Sequence, residues 1–358
     1  MSGVVPGPPL TRTDPAPPVD TLLGVDVTTF DGSTTKPCST AQAKAAADQP
    51  GIAWIDIRLQ GSDSAPDPQL LQAVGIDPTA THRVLTQGLG TEFLMTPDDV
   101  HGVCWIDDDD GSPASQAFFT WNEQRLVTVR NAGDAAIEQV RQRVTERVAV
   151  LHEHPSTLLG VVLQLMLATV QRGLTRTMIG VGSLDMEIIA TATPKPDQTQ
   201  QLNVFRTAFQ PLALRFPMYV VNVEASLIDP GSVAGLDADG MSQMQQFLGA
   251  VQGTSSLIDN LASAIRNAAQ DIQAQVGSWQ SDRINVLTIV TMIFLPISFL
   301  TGYFGMNFTW LDNQLDSFGS WLVLGVVLPV LLVAVCVALL RTGGYTMPRL
   351  FHRKRRAG

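Results

Sequence analysis

Residues 284–307 read INVLTIVTMIFLPISFLTGYFGMN. No charged side chain interrupts them, and the uncharged run continues to Leu311, 28 residues in all. About 20 apolar residues span a hydrocarbon core ~30 Å thick, so the run is long enough to cross a membrane as a helix. A second uncharged run of 24 residues, Ser317–Leu340, follows after a short polar interval. Two adjacent spans behind a large N-terminal body set the architecture. The next best apolar run, Thr157–Val170, has 14 residues with a Gln inside it and reads as a buried helix of the body.

The 358 residues carry a formal charge of −10, distributed unevenly. Residues 1–283 hold 17 basic and 31 acidic groups, residues 284–340 hold only Asp312 and Asp316, and residues 341–358 hold six basic groups and no acid. Basic residues stay on the cytoplasmic side of a membrane. The interval between the spans has none, whereas the tail has Arg341, Arg349, Arg353, Lys354, Arg355 and Arg356. The tail is therefore read as inside, and two spans return the chain to its starting side, so the body is inside too. This predicts a multi-pass protein of the cell (inner or plasma) membrane with both termini cytoplasmic. The basic tail also suits an anionic lipid surface. An acidic body disfavours nucleic acid as a partner. Three cysteines without close spacing make neither a disulfide framework nor a zinc ribbon. The first 20 residues hold six prolines and no apolar core, so no secretory signal is read there. With no nucleophile–base pairing and no phosphate loop, the chain is read as no enzyme and as needing no cofactor.

Residues 1–35 are rich in Pro, Gly, Thr and Asp and are expected to be poorly ordered. Thr40–Asp48 reads as a short helix, Ile52–Leu59 as a strand, and Leu70–Val74 as a second short helix. Val100–Ile106, Ala117–Trp121 and Arg125–Arg130 read as strands, the last two joined by a hairpin-length turn at Asn122–Gln124. Asp134–Leu151 has helical spacing. From there to Pro230 the pattern is helical, with breaks expected at Pro155, Pro194–Pro196 and Pro211. Strands first and helices later give an α+β or a layered α/β body over residues 36–235. From Met241 the apolar positions Met244, Leu248, Val251, Ile258, Leu261, Ile265, Ala268, Ile272, Val276 and Trp279 recur at threes, fours and one seven. This heptad-like seam runs into the first span without a proline before Pro296. A helix from Met241 to Phe304 would be ~95 Å long. Such a helix is expected to pack its seam against copies of itself. The divisions expected are a stalk over 236–283, a first span over 284–304, a loop over 305–316, a second span over 317–340 and a tail over 341–358.

The first span ends in Gly305-Met306-Asn307. That tripeptide, at the exit of the first of two final spans, resembles the signature of the CorA-type metal ion transporters. The preceding Val286–Gly302 is similar to that family's pore helix. The likeness is strong over Asp282–Leu340, whereas in the body it is one of element order. It implies a homopentameric channel with a layered αβα cytoplasmic domain, a long stalk helix lining the axis, and the second span outside the first. It implies divalent metal ions as cargo, Mg²⁺ foremost, with Co²⁺ or Ni²⁺ as further candidates. A ZntB-like, proton-coupled Zn²⁺ transporter on the same scaffold is the alternative. Arg353–Arg356 resembles the basic ring that the family carries around the inner mouth.

Mg²⁺ is small, demands octahedral oxygen coordination and gives up its waters reluctantly. A ring of Asn307 amides accepts hydrogen bonds from the hydrated ion without a fixed charge to trap it. Gly305 is expected to let the backbone turn toward the axis and Met306 to pack behind it. Below, Gly302, Ser298, Leu295, Thr291, Leu287 and Ile284 share one helical face. Ser298 and Thr291 offer hydroxyls to a hydrated ion, or to their own helix backbone. Leu295, Leu287 and Ile284 suit an apolar constriction. Asp312 and Asp316 would gather cations outside the mouth. The stalk Met241–Arg283 has only Asp259, Asp271 and Asp282 as acids, fewer than metal-dependent closure would call for. In the body, Asp107–Asp110 is a solvated loop or an acidic metal site. His101 with Cys104, and His152 with His154, have zinc-compatible side chains but no second pair at ligand spacing.

Overall fold

A computed structural model describes residues 25–29, 34–35, 44–45, 53–59, 68–73, 90–306 and 317–342, apart from 109, 124, 132, 148, 150, 152, 153, 192 and 229–232. By packing, the chain divides into two units. One comprises Met1–Ser183 and Gln201–Arg266, the other Leu184–Gln200 and Asn267–Gly358.

The first unit is built on a seven-stranded sheet of β1 (Val25–Thr29), β2 (Thr34–Thr35), β3 (Ala53–Arg58), β4 (Phe93–Met95), β5 (Val100–Ile106), β6 (Ser115–Trp121) and β7 (Arg125–Arg130). Their order is β2-β1-β3-β7-β6-β5-β4, with one parallel pairing, β3 with β7, among antiparallel neighbours. β5 and β7 fall on the residues the alternation predicts, and Asn122 closes the β6–β7 hairpin by accepting the Arg125 N–H through Oδ1 at 3.0 Å. One expectation fails for part of its range, and one strand was not read. Val25–Thr29 and Thr34–Thr35 are strands, not part of a poorly ordered extension. The three-residue β4 went unpredicted. Val25 and Val27 are buried at the edge pairing with β3, and that burial outweighs the turn-forming residues around them.

Central strands are buried on both faces, so β3 and β7 carry little alternation. That places Asp56 and Arg130 inside the body at 2% and 4% exposure. Asp56 accepts from Thr128 Oγ1 at 2.6 Å and from Arg130 Nη2 at 2.9 Å. Arg130 Nη1 donates to Asp134 Oδ1 at 2.6 Å, and Arg141 pairs with Asp26 at 3.0 Å. A buried charge is tolerable only when paired and hydrogen-bonded in this way. The network holds α2 (Asp134–Thr145) against β1, β3 and β7; α1 is the short Pro68–Ala73.

Three long helices supply both units: α3 (Leu158–Ala190), α4 (Pro196–Ile228) and α5 (Ala238–Phe304). The break expected at Pro211 does not occur, since α4 continues through Pro211 and Pro217. Its buried side chains Phe209, Leu212, Phe216, Tyr219 and Val223 hold it in place where propensity alone would stop it. In α5 the buried positions are Met244, Phe247, Val251, Thr254, Ile258, Leu261, Ile265, Ala268 and Ile272, at steps of three and four throughout. The seam expected to meet copies of the chain is thus filled from within it, with Phe247, not Leu248, in the buried register. Phe247 stacks on Phe93. Gln164 and Gln171 of α3 donate to the Gln243 carbonyl at 3.0 Å and to Thr254 Oγ1 at 2.9 Å. In the second unit Gln275 Nε2 donates to the Ile188 carbonyl at 3.1 Å.

The second apolar run forms α6 (Phe318–Leu322), a π-helical turn at Val323–Val327, and α7 (Leu328–Thr342). The cause of the wide turn is Pro329. It has no N–H to give Gly325, and its ring would press on the carbonyl four residues back. The Leu328 N–H accordingly reaches the Val323 carbonyl, five residues back.

Candidate functional site

Among the described residues, three helical segments are long and apolar enough to cross a membrane: Pro155–Ala190, Ala238–Tyr303 and Phe318–Ala338. The apolar window of the first is 78% buried within the chain, whereas the windows of the other two are bare. Ile284, Leu287 and Leu295 stand 56%, 66% and 67% exposed on α5. Thr291, Ser298 and Gly302 are exposed as well. At 100° per residue these six fall within an arc of about 80°. The Thr291 hydroxyl donates to the Leu287 carbonyl at 2.8 Å, and Thr288 and Thr301 likewise bond back to their own helix. The Ser298 hydroxyl makes no hydrogen bond among the described residues. Thr291 keeps only its lone pairs for a ligand, while Ser298 keeps both donor and acceptor.

The helix ends at Phe304, with a turn at Gly305 and a bend at Met306. The Gly305 N–H donates to the Thr301 carbonyl at 2.9 Å and the Met306 N–H to the Tyr303 carbonyl at 3.3 Å, and the φ of Gly305 is not positive. A β-carbon there would sit 3.0 Å from the same carbonyl, a tight approach that glycine avoids. Met306 is 47% exposed. Asn307, Asp312, Asp316, Arg353, Lys354, Arg355 and Arg356 lie outside the described residues.

In the body, the acidic run is used for construction. Asp108 accepts the N–H groups of Gly133 and Ala136, both at 2.9 Å, and so caps α2. Gly133 takes a left-handed φ of 92° to present that N–H. The Ser112 side chain, and then the Ser112 N–H that donates to Asp110 at 2.8 Å, hold the Asp110 carboxyl below the usual range. The Asp107 N–H donates to Thr169 Oγ1 at 2.9 Å, and its carboxylate lies over Gly173 of α3, where a β-carbon would collide with it. Burial raises the Asp107 carboxyl to about 6, against the pull of Arg176. Asp109 is outside the described residues. Sequence reading missed this clasp; the one signal for it was a glycine at 173 inside a strong helical pattern.

His101 and Cys104, three residues apart on β5, face opposite sides of the sheet. His101 pairs with Asp99 at 3.2 Å. Cys104 is fully buried and its thiol is pushed up to about 12 by burial, too high to ligate readily. His154 pairs with Asp239 at 3.0 Å, beside a cleft of about 630 Å³ lined by Arg147, Gln164 and Gln243, while His152 is outside the described residues. Burial and then the nearby Asp271 raise the Asp185 carboxyl in the second unit. Among the described residues, no three His, Cys, Asp or Glu side chains are grouped to hold a metal.

A family model described as "CorA-like Mg2+ transporter protein" matches residues 50–342. The "Putative metal ion transporter YfjQ" of Bacillus subtilis (strain 168) is 30% identical over 74 residues, 20% of this chain and 23% of that protein. The match thus spans less than a quarter of that relative. Among solved structures, the complete CorA magnesium transporter from Methanocaldococcus jannaschii has a TM-score of 0.65 at 13% identity, covering 90% of this chain and 99% of that one. The full-length CmaX protein has a TM-score of 0.65 at 13% identity, covering 90% and 98%. At such identities the likeness is one of fold.

Proposed function

The chain belongs to the CorA-like Mg2+ transporter family, and on that premise we propose that it passes divalent cations, Mg²⁺ foremost, through a homopentameric membrane pore lined by the first span. One observation carries this reading. The span from Ile284 to Gly302 is bare of cover from its own chain and gathers two hydroxyl residues, three aliphatic residues and a glycine on one arc. Lipid alone has no use for a polar stripe, whereas five copies around an axis give it an aqueous face.

In this arrangement Asn307 amides at the outer mouth accept hydrogen bonds from the ion's waters, so Mg²⁺ enters without paying for dehydration. Gly305 keeps the helix end narrow, and Met306 faces outward beside the amide. Ser298, with its hydroxyl uncommitted, hands the hydrated ion inward, and Thr291 accepts from its waters. Leu295, Leu287 and Ile284 form the constriction, which closes by dewetting. Asp312 and Asp316 concentrate cations outside. Arg353, Lys354, Arg355 and Arg356 lie at the inner surface, where they also meet anionic lipid. Both termini are cytoplasmic.

The test is uptake into liposomes by the full-length protein, comparing Mg²⁺, Zn²⁺, Co²⁺ and Na⁺ for wild type and Asn307→Ala. Divalent uptake should exceed Na⁺ uptake, and Asn307→Ala, which removes the amide from every copy, should lower it at least about tenfold, since ~1.4 kcal/mol, the worth of one hydrogen bond, already gives that factor. Equal divalent uptake by the two proteins removes the Asn307 assignment. No divalent uptake by a folded pentamer removes the transport reading, and uptake of Zn²⁺ with none of Mg²⁺ reassigns the cargo.

A further inference from the structure

α3 and α5 begin side by side within the first unit. A β-carbon on Gly160 of α3 would sit 2.7 Å from the Gln243 Cβ, and one on Gly240 of α5 would sit 2.8 Å from the Ser156 carbonyl. The two glycines thus let the first turns of the helices touch. Gln164 Nε2 donates to the Gln243 carbonyl at 3.0 Å, and Asp237 accepts from both the Ser156 hydroxyl and the Gly240 N–H. Beside this contact, between the two helices and the connection from α2 to α3, opens the cleft of about 630 Å³. Its volume falls within the range of small-molecule sites, about 300–1,000 Å³.

The lining has an apolar wall and one uncompensated charge. Leu151 and Val161 are buried, at 1% and 7% exposure. Asp239, the one acid among the described lining residues, is engaged with His154 at 3.0 Å. Arg147 is exposed, and its guanidinium makes neither an ion pair nor a hydrogen bond among the described residues. Arg141, one and a half turns earlier, is by contrast spent on Asp26 and Glu138. The Ser242 hydroxyl and the Gln246 amide, one turn apart on α5, line the same space and are likewise uncommitted among the described residues. A free guanidinium with no free carboxylate beside it repels cations and attracts anions.

We propose that this cleft is a binding site for a small organic anion, with its carboxylate or phosphate on Arg147 and its apolar part against Leu151 and Val161. The forked N–H donors of a guanidinium match either oxyanion. The Ser242 hydroxyl and the Gln246 amide supply further donors to the same group. The occupant is thus of opposite charge to the cation assigned to the pore, and the inference does not depend on the transport reading.

The test is calorimetry on the full-length, detergent-solubilised protein, with benzoate and phenyl phosphate as probes and phenol as the uncharged control. At least one anion should bind with a Kd of about 1 mM or below, and phenol at least about tenfold more weakly, the weight of one charge-assisted hydrogen bond. Tighter binding of benzoate makes the occupant a carboxylate, and tighter binding of phenyl phosphate makes it a phosphate; either supports the site. Arg147→Gln should weaken the anion at least about tenfold. Ser242→Trp fills the cleft from an exposed position and should abolish binding. Melting temperatures show whether both variants fold, and should Arg147→Gln melt lower, Ser242→Trp decides the matter. Failure of both anions to bind at ten times that concentration, phenol binding as tightly as they do, or anion binding unchanged in the folded variants overturns the site, and none of these touches cation uptake.

Discussion

Asp107 occupies the space that a β-carbon at position 173 would need, and its N–H is held by Thr169. Gly173→Ala must therefore push the loop off α3, and overpacking of this kind costs about 1–3 kcal/mol. A lower melting temperature for the detergent-solubilised protein is expected. The carboxyl itself gives a pH dependence of known sign. Burial raises it in the folded chain to about 6, above its value of 3.8 when free. Its stabilisation is therefore full below the free value and is lost as pH rises through 6. Wild type should lose stability relative to Asp107→Asn between pH 4 and 7, by about 1 kcal/mol once partial exposure is allowed for. Parallel melting curves for the two proteins over that range would contradict this. The neighbouring Asp108 shows why a four-acid run misleads as a metal signal. Adjacent carboxylates on a loop face different ways, and here Asp107, Asp108 and Asp110 each have a different backbone or helix to serve.

At the level of elements, the second span carries the sharpest expectation. Pro329→Leu restores a donor and lets the turn at Val323–Val327 tighten to an α-helix, which rotates everything beyond it by about 100°. A tryptophan scan of residues 330–338, read as uptake, should shift its periodicity by that angle in the variant. An unchanged pattern would mean that packing, not Pro329, holds the wide turn. How much of the fold was legible also divides by element. Val100–Ile106 and Arg125–Arg130 were readable because β-branched and aromatic residues fill them and turn residues bound them. Val25–Thr29 was hidden because its pairing partner, β3, lies far along the chain, and its own neighbours speak for disorder. The α5 repeat was readable as a request for a helical neighbour. Its spacing could not say whether that neighbour came from the same chain, and Gln164 and Gln171, which settle the matter, are unremarkable in sequence. The arc from Ile284 to Gly302 was legible from helical spacing. The commitment of the Thr291 hydroxyl to its own backbone was not.

For the molecule as a whole, large exposed apolar side chains gather in the second unit, from Ile284 and Leu287 through Phe299 to Val330 and Val335. Its apolar windows have no cover from the described residues of the chain, whereas the first unit has its own sheet and core. The single parallel pairing in that sheet has a consequence for how the chain is made. β4 to β7 are joined by successive antiparallel pairings and can zip up as they emerge. β3 cannot, because Ala53 pairs with Arg125, 72 residues later, and β1 depends on β3 in turn. At 5–20 residues per second, the first strands synthesised wait roughly 4–14 s for their partner. Nascent chains halted before Arg125 leaves the ribosome should be cut by protease within Ala53–Arg58, and chains halted after α2 has emerged should resist. Early protection would show a different order. During that wait, Trp54, Ile55 and Ile57 have no sheet to enter, so the N-terminal strands are the part of a newborn chain most in need of a chaperone.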